Sequence, residues 1–120
     1  MKNKPKVKDI EESDQKILAE LNNFTNDVTK DMEEYRFYIA AEKLYHYLWH
    51  TLADIIIEES KPVFSGNDKA AKLSKQWTLY FILTTCLKLL HPFAPFVTEE
   101  IWQSLPEKDS DMLIVSKWPL

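Results

Sequence analysis

Apolar residues recur every three or four positions along most of this chain, and that spacing predicts helices. The first such period runs through Ile17, Leu21, Phe24, Val28 and Met32, with Ser13 as the expected N-cap. The opposite face carries Glu20, Asp27, Asp31, Glu33 and Glu34, and reads as a solvated acidic face. A second helix is expected from about Arg36 to Lys61, ended by Pro62. Its stripe is Phe37, Ala41, Leu44, Leu48, Leu52 and Ile55, widened by Tyr45, Trp49 and Ile56, so wide an arc that it should meet two neighbours. Residues 63–68, with Gly66, Asn67 and Asp68, form a connection, and Asn67 or Asp68 can cap a third helix. That helix runs to about Leu90, with Leu73, Trp77, Tyr80, Leu83 or Thr84, Leu87 and Leu90 on its inner face.

His91-Pro92-Phe93-Ala94-Pro95-Phe96 breaks the pattern, because each proline removes a backbone donor and crowds the preceding turn. Pro95 also suits the first position of a fourth helix, with Thr98 as the alternative cap. This short helix would turn Ile101, Trp102 and Leu105 inward and place Glu99 and Glu100 at its positive end. Pro106 stops it, residues 107–111 are polar, and Met112 to Val115 with Trp118-Pro119 read as an extended closing segment. Residues 1–10 carry Lys2, Lys4, Lys6 and Lys8 without any amphipathic period. The expected organisation is a flexible basic tail or linker remnant over 1–12, a helical domain over 13–105, and an extended segment over 106–120 that packs on it. The expected fold class is all-α, a four-helix array with antiparallel neighbours.

Composition narrows this further. At 120 residues the chain holds one domain, and 45% hydrophobic with 28% charged residues is a globular balance. There is one glycine where average usage would place about eight. That argues against glycine-rich nucleotide loops and against sandwiches or barrels with many tight turns, and leaves Gly66 to supply nearly all glycine-dependent geometry. The single cysteine, Cys86, excludes an internal disulfide and reads as a buried thiol among Thr84, Thr85, Leu87 and Leu90. No secretory signal or membrane-length apolar run is present, which fits a cytoplasmic setting and no membrane partner. The net charge of −4 does not favour nucleic acid, so any such surface must be locally positive.

The residues capable of chemistry are few. His46 and His50 share a helix face with Glu42, Asp54 and Glu58, a set that either holds a metal or forms a polar outer stripe. A zinc-protease pattern needs Glu directly after the first histidine, and Tyr47 stands there. Glu99 and Glu100 are adjacent and diverge by about 100° on a helix, so they do not form a facing catalytic pair. No serine or cysteine sits in a glycine-rich elbow. No catalytic residue and no metal ligand is therefore assigned. Lys69, Lys72 and Lys75 lie near one helix face beside Gln76 and Trp77, and Arg36 and Lys43 share another. These five are the candidate RNA-binding cations, either tracking phosphates or simply solvating helix surfaces.

Two stretches together resemble one family. His91-Pro92-Phe93-Ala94-Pro95-Phe96-Val97-Thr98-Glu99-Glu100-Ile101-Trp102-Gln103 is similar to a segment of the helical anticodon-binding domain in class I aminoacyl-tRNA synthetases. Upstream, Tyr35-Arg36-Phe37, Ala40-Ala41, Leu44-Tyr45, Trp49 and Asp54 match the second-helix pattern of the same domain, so the resemblance spans about residues 14–119. Within that family the H-P-F start and T-E-E-I-W-Q finish are most similar to the valyl enzymes, with the isoleucyl and then the leucyl enzymes as alternatives.

The resemblance implies recognition of the anticodon arm of tRNA, valine tRNA being favoured, while a separate catalytic domain joins the amino acid to the distant acceptor end. It also implies that ATP and magnesium belong to that missing domain, that this chain carries no cofactor, and that alone it is inactive. The family's H-x-G-H signature is absent. Lys72-Leu73-Ser74-Lys75-Gln76 imitates its mobile K-M-S-K-S loop, but falls early in an amphipathic helix and is read as coincidence. Trp49, Trp77 and Trp102 are expected to pack the core. The competing class is a stand-alone helical protein-interaction module, which the acidic first helix favours.

Overall fold

A computed structural model describes residues 10–119. The expectation of a basic tail over 1–12 lies outside them for residues 1–9. Residues 10–12 already belong to the packed unit: Ile10 is buried, and the Glu11 N–H donates to Ser74 Oγ at 3.0 Å. Helix α1 spans Glu12–Glu33. Ser13 is thus the second residue of the helix rather than its cap, and no side chain caps that end.

Helix α2 is one rod over 37–65, built of an α-helical Phe37–His46, a π-helical Tyr47–Ile57 and an α-helical Glu58–Ser65. The π-helical stretch changes which residues face inward. Its wider turns slow the rotation per residue, so the stripe drifts away from a 3.6-residue period. Ala40, Leu44, Tyr47, Ile56 and Ser60 are buried, while Ile55 and Trp49, both expected inward, face out at 51% and 62% exposure. Pro62 does not end the rod. The widened turns finish at Ile57, just before the carbonyls that its ring would otherwise crowd, and α-helix continues to Ser65.

Helix α3 spans Lys69–Leu90 and starts as expected, with the Asp68 carboxylate accepting the Ala71 N–H at 3.1 Å. Its neighbours surround it: α1 and α2 pack on it, and helix α4, Pro95–Ser104, folds back across its far end. Pro95 takes the first position of α4, where its missing donor costs nothing. A closing strap over 105–119 follows; expected to be extended, it instead bends at 106–107 and 109–112 and makes a short 3₁₀ turn at Leu113–Val115.

The core forms three clusters on α3: Leu21, Tyr47, Ile56, Ile82 and Cys86; Val28, Ala40, Leu44 and Leu89 at its C-terminal end; and Leu87, Trp102 and Leu113, which join α4 and the strap. Phe24 bridges the first two clusters and stacks on Tyr47, ring centroids 4.5 Å apart. Trp77 and Trp102 are buried as expected. Burial pushes the Cys86 thiol up to about 12, so it stays a protonated apolar group. Thr78, buried on α3, bonds within the helix, its Oγ1 donating to the Ser74 carbonyl at 2.8 Å.

The tight turn between α1 and α2 does not use the one glycine. Tyr35 stands there at φ 61°, the left-handed region, and its N–H donates to the Met32 carbonyl while Arg36 N–H donates to that of Asp31. This is the Schellman closure of a helix, with tyrosine where glycine is usual. Gly66 sits at φ −82°, and an added Cβ would only touch carbonyls of the preceding turn at 3.4 and 3.5 Å, so nothing there requires glycine. A left-handed residue with a side chain costs roughly 1–2 kcal/mol. Tyr35→Gly is therefore expected to raise stability by up to about 1 kcal/mol, since glycine also gains freedom in the unfolded chain. Urea denaturation with an unchanged slope checks this.

Candidate nucleic-acid interface

Of the five candidate cations, three are ion-paired within the fold, and one of these, Lys75, is buried. Lys75 is buried on the inner side of α3, its ammonium donating to Asp14 Oδ1, while Ser74 Oγ donates to Asp14 Oδ2 at 2.6 Å. Asp14 itself is fully buried, so the lysine is its counter-charge and does not reach a phosphate. Lys43 bridges Asp31 at 2.7 Å and Asp27 at 2.9 Å. Arg36 meets Asp31 at 2.9 Å and Glu34 at 2.6 Å. Lys43 and Arg36 thus close α1 against the start of α2 around Asp31, one of the residues expected on a solvated face, which is instead 1% exposed. Hydrogen bonding from Lys43 holds the Asp31 carboxyl below its ordinary value, with Arg36 reinforcing it.

Lys69 and Lys72 remain. They occupy the first turn of α3 and have no ion-pair partner among the described residues. Exposed Phe64 lies at the end of α2 just before the connection to them.

A second basic surface was not legible as a site in the sequence. A cleft of about 540 Å³ lies between α1, the second half of α3 and the end of the strap. Leu18 and Asn22 form its α1 wall, Trp77 and Phe81 its α3 wall, and Lys117 and Trp118 its strap wall. The Trp77 and Phe81 rings stack with centroids 5.2 Å apart and 18° between planes. Lys88, at the far end of that helix face, pairs with Asp109 at 2.6 Å and lies over the Trp102 ring. The spacing of Trp77, Phe81 and Lys88 marks one helix face. Lys117 arrives from far along the chain, which no local pattern reveals.

A family model for the anticodon-binding domain of tRNA ligase matches residues 14–120. The chain belongs to this family. Relatives include valine–tRNA ligases of Petrotoga mobilis, 43% identical over 115 residues, Latilactobacillus sakei, 38% over 112, and Agrobacterium fabrum, 42% over 106. The matches cover 95%, 93% and 86% of this chain but 13%, 13% and 11% of those proteins. The chain therefore spans about an eighth of their length.

In this anticodon-binding domain the motif residues hold the fold. His91 Nδ1 lies 2.9 Å from Thr98 Oγ1, whose hydroxyl donates to the Ala94 carbonyl, bracing the Pro92–Pro95 corner. Glu99 accepts the Leu113 N–H at 3.0 Å, Trp102 Nε1 donates to the Ser110 carbonyl at 3.0 Å, and Gln103 Nε2 donates to that of Asp111 at 2.6 Å. One face of α4 thereby fastens the strap. Glu99 lies beyond the first turn of α4, so it caps the strap's 3₁₀ turn rather than its own helix, and that amide holds its carboxyl below the ordinary range. Trp118 Nε1 then donates to Thr29 Oγ1 at 2.8 Å and returns the strap to α1.

Ser74 and Lys75 being bound to Asp14, the K-L-S-K stretch is a fixed part of α3 and not a mobile loop. His46 and His50 are exposed, with ring centroids 4.7 Å apart and His50 Nδ1 3.8 Å from Asp54. No group of three metal-ligating side chains converges among the described residues. Nor is any helix of the described residues long and apolar enough to cross a membrane.

Asp14→Ala leaves a buried ammonium unpaired and is expected to cost about 3–5 kcal/mol. Lys69→Glu or Lys72→Glu should stay within about 0.5 kcal/mol. Thermal and urea unfolding of the three variants separates them. Asp31 makes a second expectation: its folded pKa lies below the unfolded value, so its contribution is complete above the ordinary carboxylate range and is lost as pH falls through the folded pKa. Urea midpoints should fall below about pH 4, and less steeply in Asp31→Asn.

Proposed function

We propose that this chain binds the anticodon arm of tRNA, valine tRNA in preference, on behalf of an ATP-dependent valine–tRNA ligase of which it is one domain. The observation that carries this is the family match over residues 14–120, together with relatives that are all named valine–tRNA ligase. ATP, magnesium and the activation chemistry belong to the remainder of such an enzyme, and this domain alone is inactive. The setting is cytoplasmic.

Lys69 and Lys72 supply the phosphate contacts of the original five cations, and they position the RNA without choosing it. Specificity comes from bases unstacked out of the loop and read by aromatic and polar side chains. The outer face of α2 exposes Tyr38, Tyr45 and Trp49, rings that suit packing against the catalytic part of the parent enzyme.

Fluorescence anisotropy of labelled valine tRNA at two salt concentrations, with isoleucine and leucine tRNAs alongside, tests the reading. Binding that favours valine tRNA and is lost on changing the anticodon is expected. Equal binding of all three would place the specificity elsewhere, and no binding at low salt would overturn the reading. Lys69→Glu with Lys72→Glu should lower the slope of log affinity against log salt by about 2.

A further inference from the structure

We infer that the cleft between α1, α3 and the strap is a binding site for a single unstacked RNA base together with its flanking phosphate. The inference rests on the anticodon-arm reading but not on Lys69 or Lys72. At about 100° per residue, nine residues along α3 place Lys72 on the side opposite Phe81.

Four observations converge on a nucleotide. The first is a planar surface: Phe81 is 41% exposed and is backed by Trp77, which is itself buried and stacked against it. A ring held from behind offers its outer face at little entropic cost, and every base has a face to stack on it. The second is charge. In a protein of 19 acidic and 15 basic residues, the lining of this cleft holds Lys88 and Lys117 and no carboxylate, whereas the adjoining cleft across Phe81 contains Glu107 and Asp109. Lys88 is already paired, so Lys117, exposed and without an ion-pair partner among the described residues, is the cation left for a phosphate.

The third is a reader of hydrogen bonds. Asn22 lines the α1 wall without a hydrogen-bond partner among the described residues, and an amide supplies both a donor and an acceptor to a base edge. Two threonines near it have their protons committed, Thr25 Oγ1 donating to the Leu21 carbonyl and Thr84 Oγ1 to that of Phe81. The fourth is size, since about 540 Å³ falls within the ~300–1,000 Å³ of small-ligand clefts. Phe81 therefore supplies stacking for any base, Asn22 the preference among bases, and Lys117 the salt-dependent hold on the backbone.

The test is titration of the 120-residue chain with an anticodon stem–loop RNA carrying 2-aminopurine at successive loop positions. One position should be quenched on binding. Phe81→Ala should abolish that quenching and weaken binding by about tenfold or more, a loss in the range measured for base–aromatic stacks. Asn22→Ala should change the preferred base at that position while quenching persists, and Lys117→Glu should lower the salt slope by about 1. All three side chains are exposed, and the unreactive Cys86 thiol reports that each variant is folded.

A stem–loop that binds with the same affinity and quenching in Phe81→Ala and Asn22→Ala would overturn the cleft and leave the anticodon reading standing. No binding of the stem–loop at any salt would overturn both. A concentration-dependent dimer abolished by Phe81→Ala would show that the cleft holds a second copy of the chain, and would also overturn the inference.

Discussion

A carboxylate removed from water must be given a counter-charge, and in this protein that requirement shapes both fold and surface. Asp14 and Asp31 are buried near opposite ends of α1. Asp14 draws Ser74 and Lys75 of α3 toward it, and Asp31 draws Arg36 and Lys43 from the turn and from α2. Each therefore fastens α1 to a different neighbour. The same pairs neutralise three cations of a protein that is acidic overall, and bury one of them, Lys75. Among the cations these two sites leave unpaired are Lys69 and Lys72 at the start of α3 and Lys117 on the strap.

Helix α2 shows how a local change of helical pitch is felt across a whole face. Had α2 kept a 3.6-residue period, Ile55, about 20° of rotation from Leu44, would share the inner stripe with it. The π-helical stretch instead brings Ile56 and Ser60 inward and turns Ile55 outward, while Tyr45 and Trp49 share the outer surface with their rings nearly parallel at 7°. The helix gains an aromatic outer surface without losing core continuity, because Tyr47 takes the place beside Phe24.

The H-P-F and T-E-E-I-W-Q residues belong to neither positive surface. They act on backbone: Thr98 and His91 brace the proline corner, while Glu99, Trp102 and Gln103 fasten residues 110–113. Fastening matters because the strap is the third wall of the Phe81 cleft. A motif that identifies the family thus sets the position of the strap, while the other two walls of the cleft come from parts of α1 and α3 that carry no motif.

Periodicity, proline and capping chemistry act within a few residues, and so the four helices, the proline corner, the Asp68 cap, the buried Trp77 and Trp102 and the family were legible along the chain. The tertiary structure alone decided which charges remain free. Lys75 and Lys72 are three residues apart and look alike in the sequence, yet Asp14, 61 residues before Lys75, takes one and leaves the other. Asp31 looks like its solvated neighbours until Arg36 and Lys43 close over it. Ile55 looks like core until the pitch of α2 changes, and Lys117 joins Phe81 only because the strap returns to α1. Burial and ion pairing are set by what arrives from elsewhere in the chain, and no local pattern encodes that arrival.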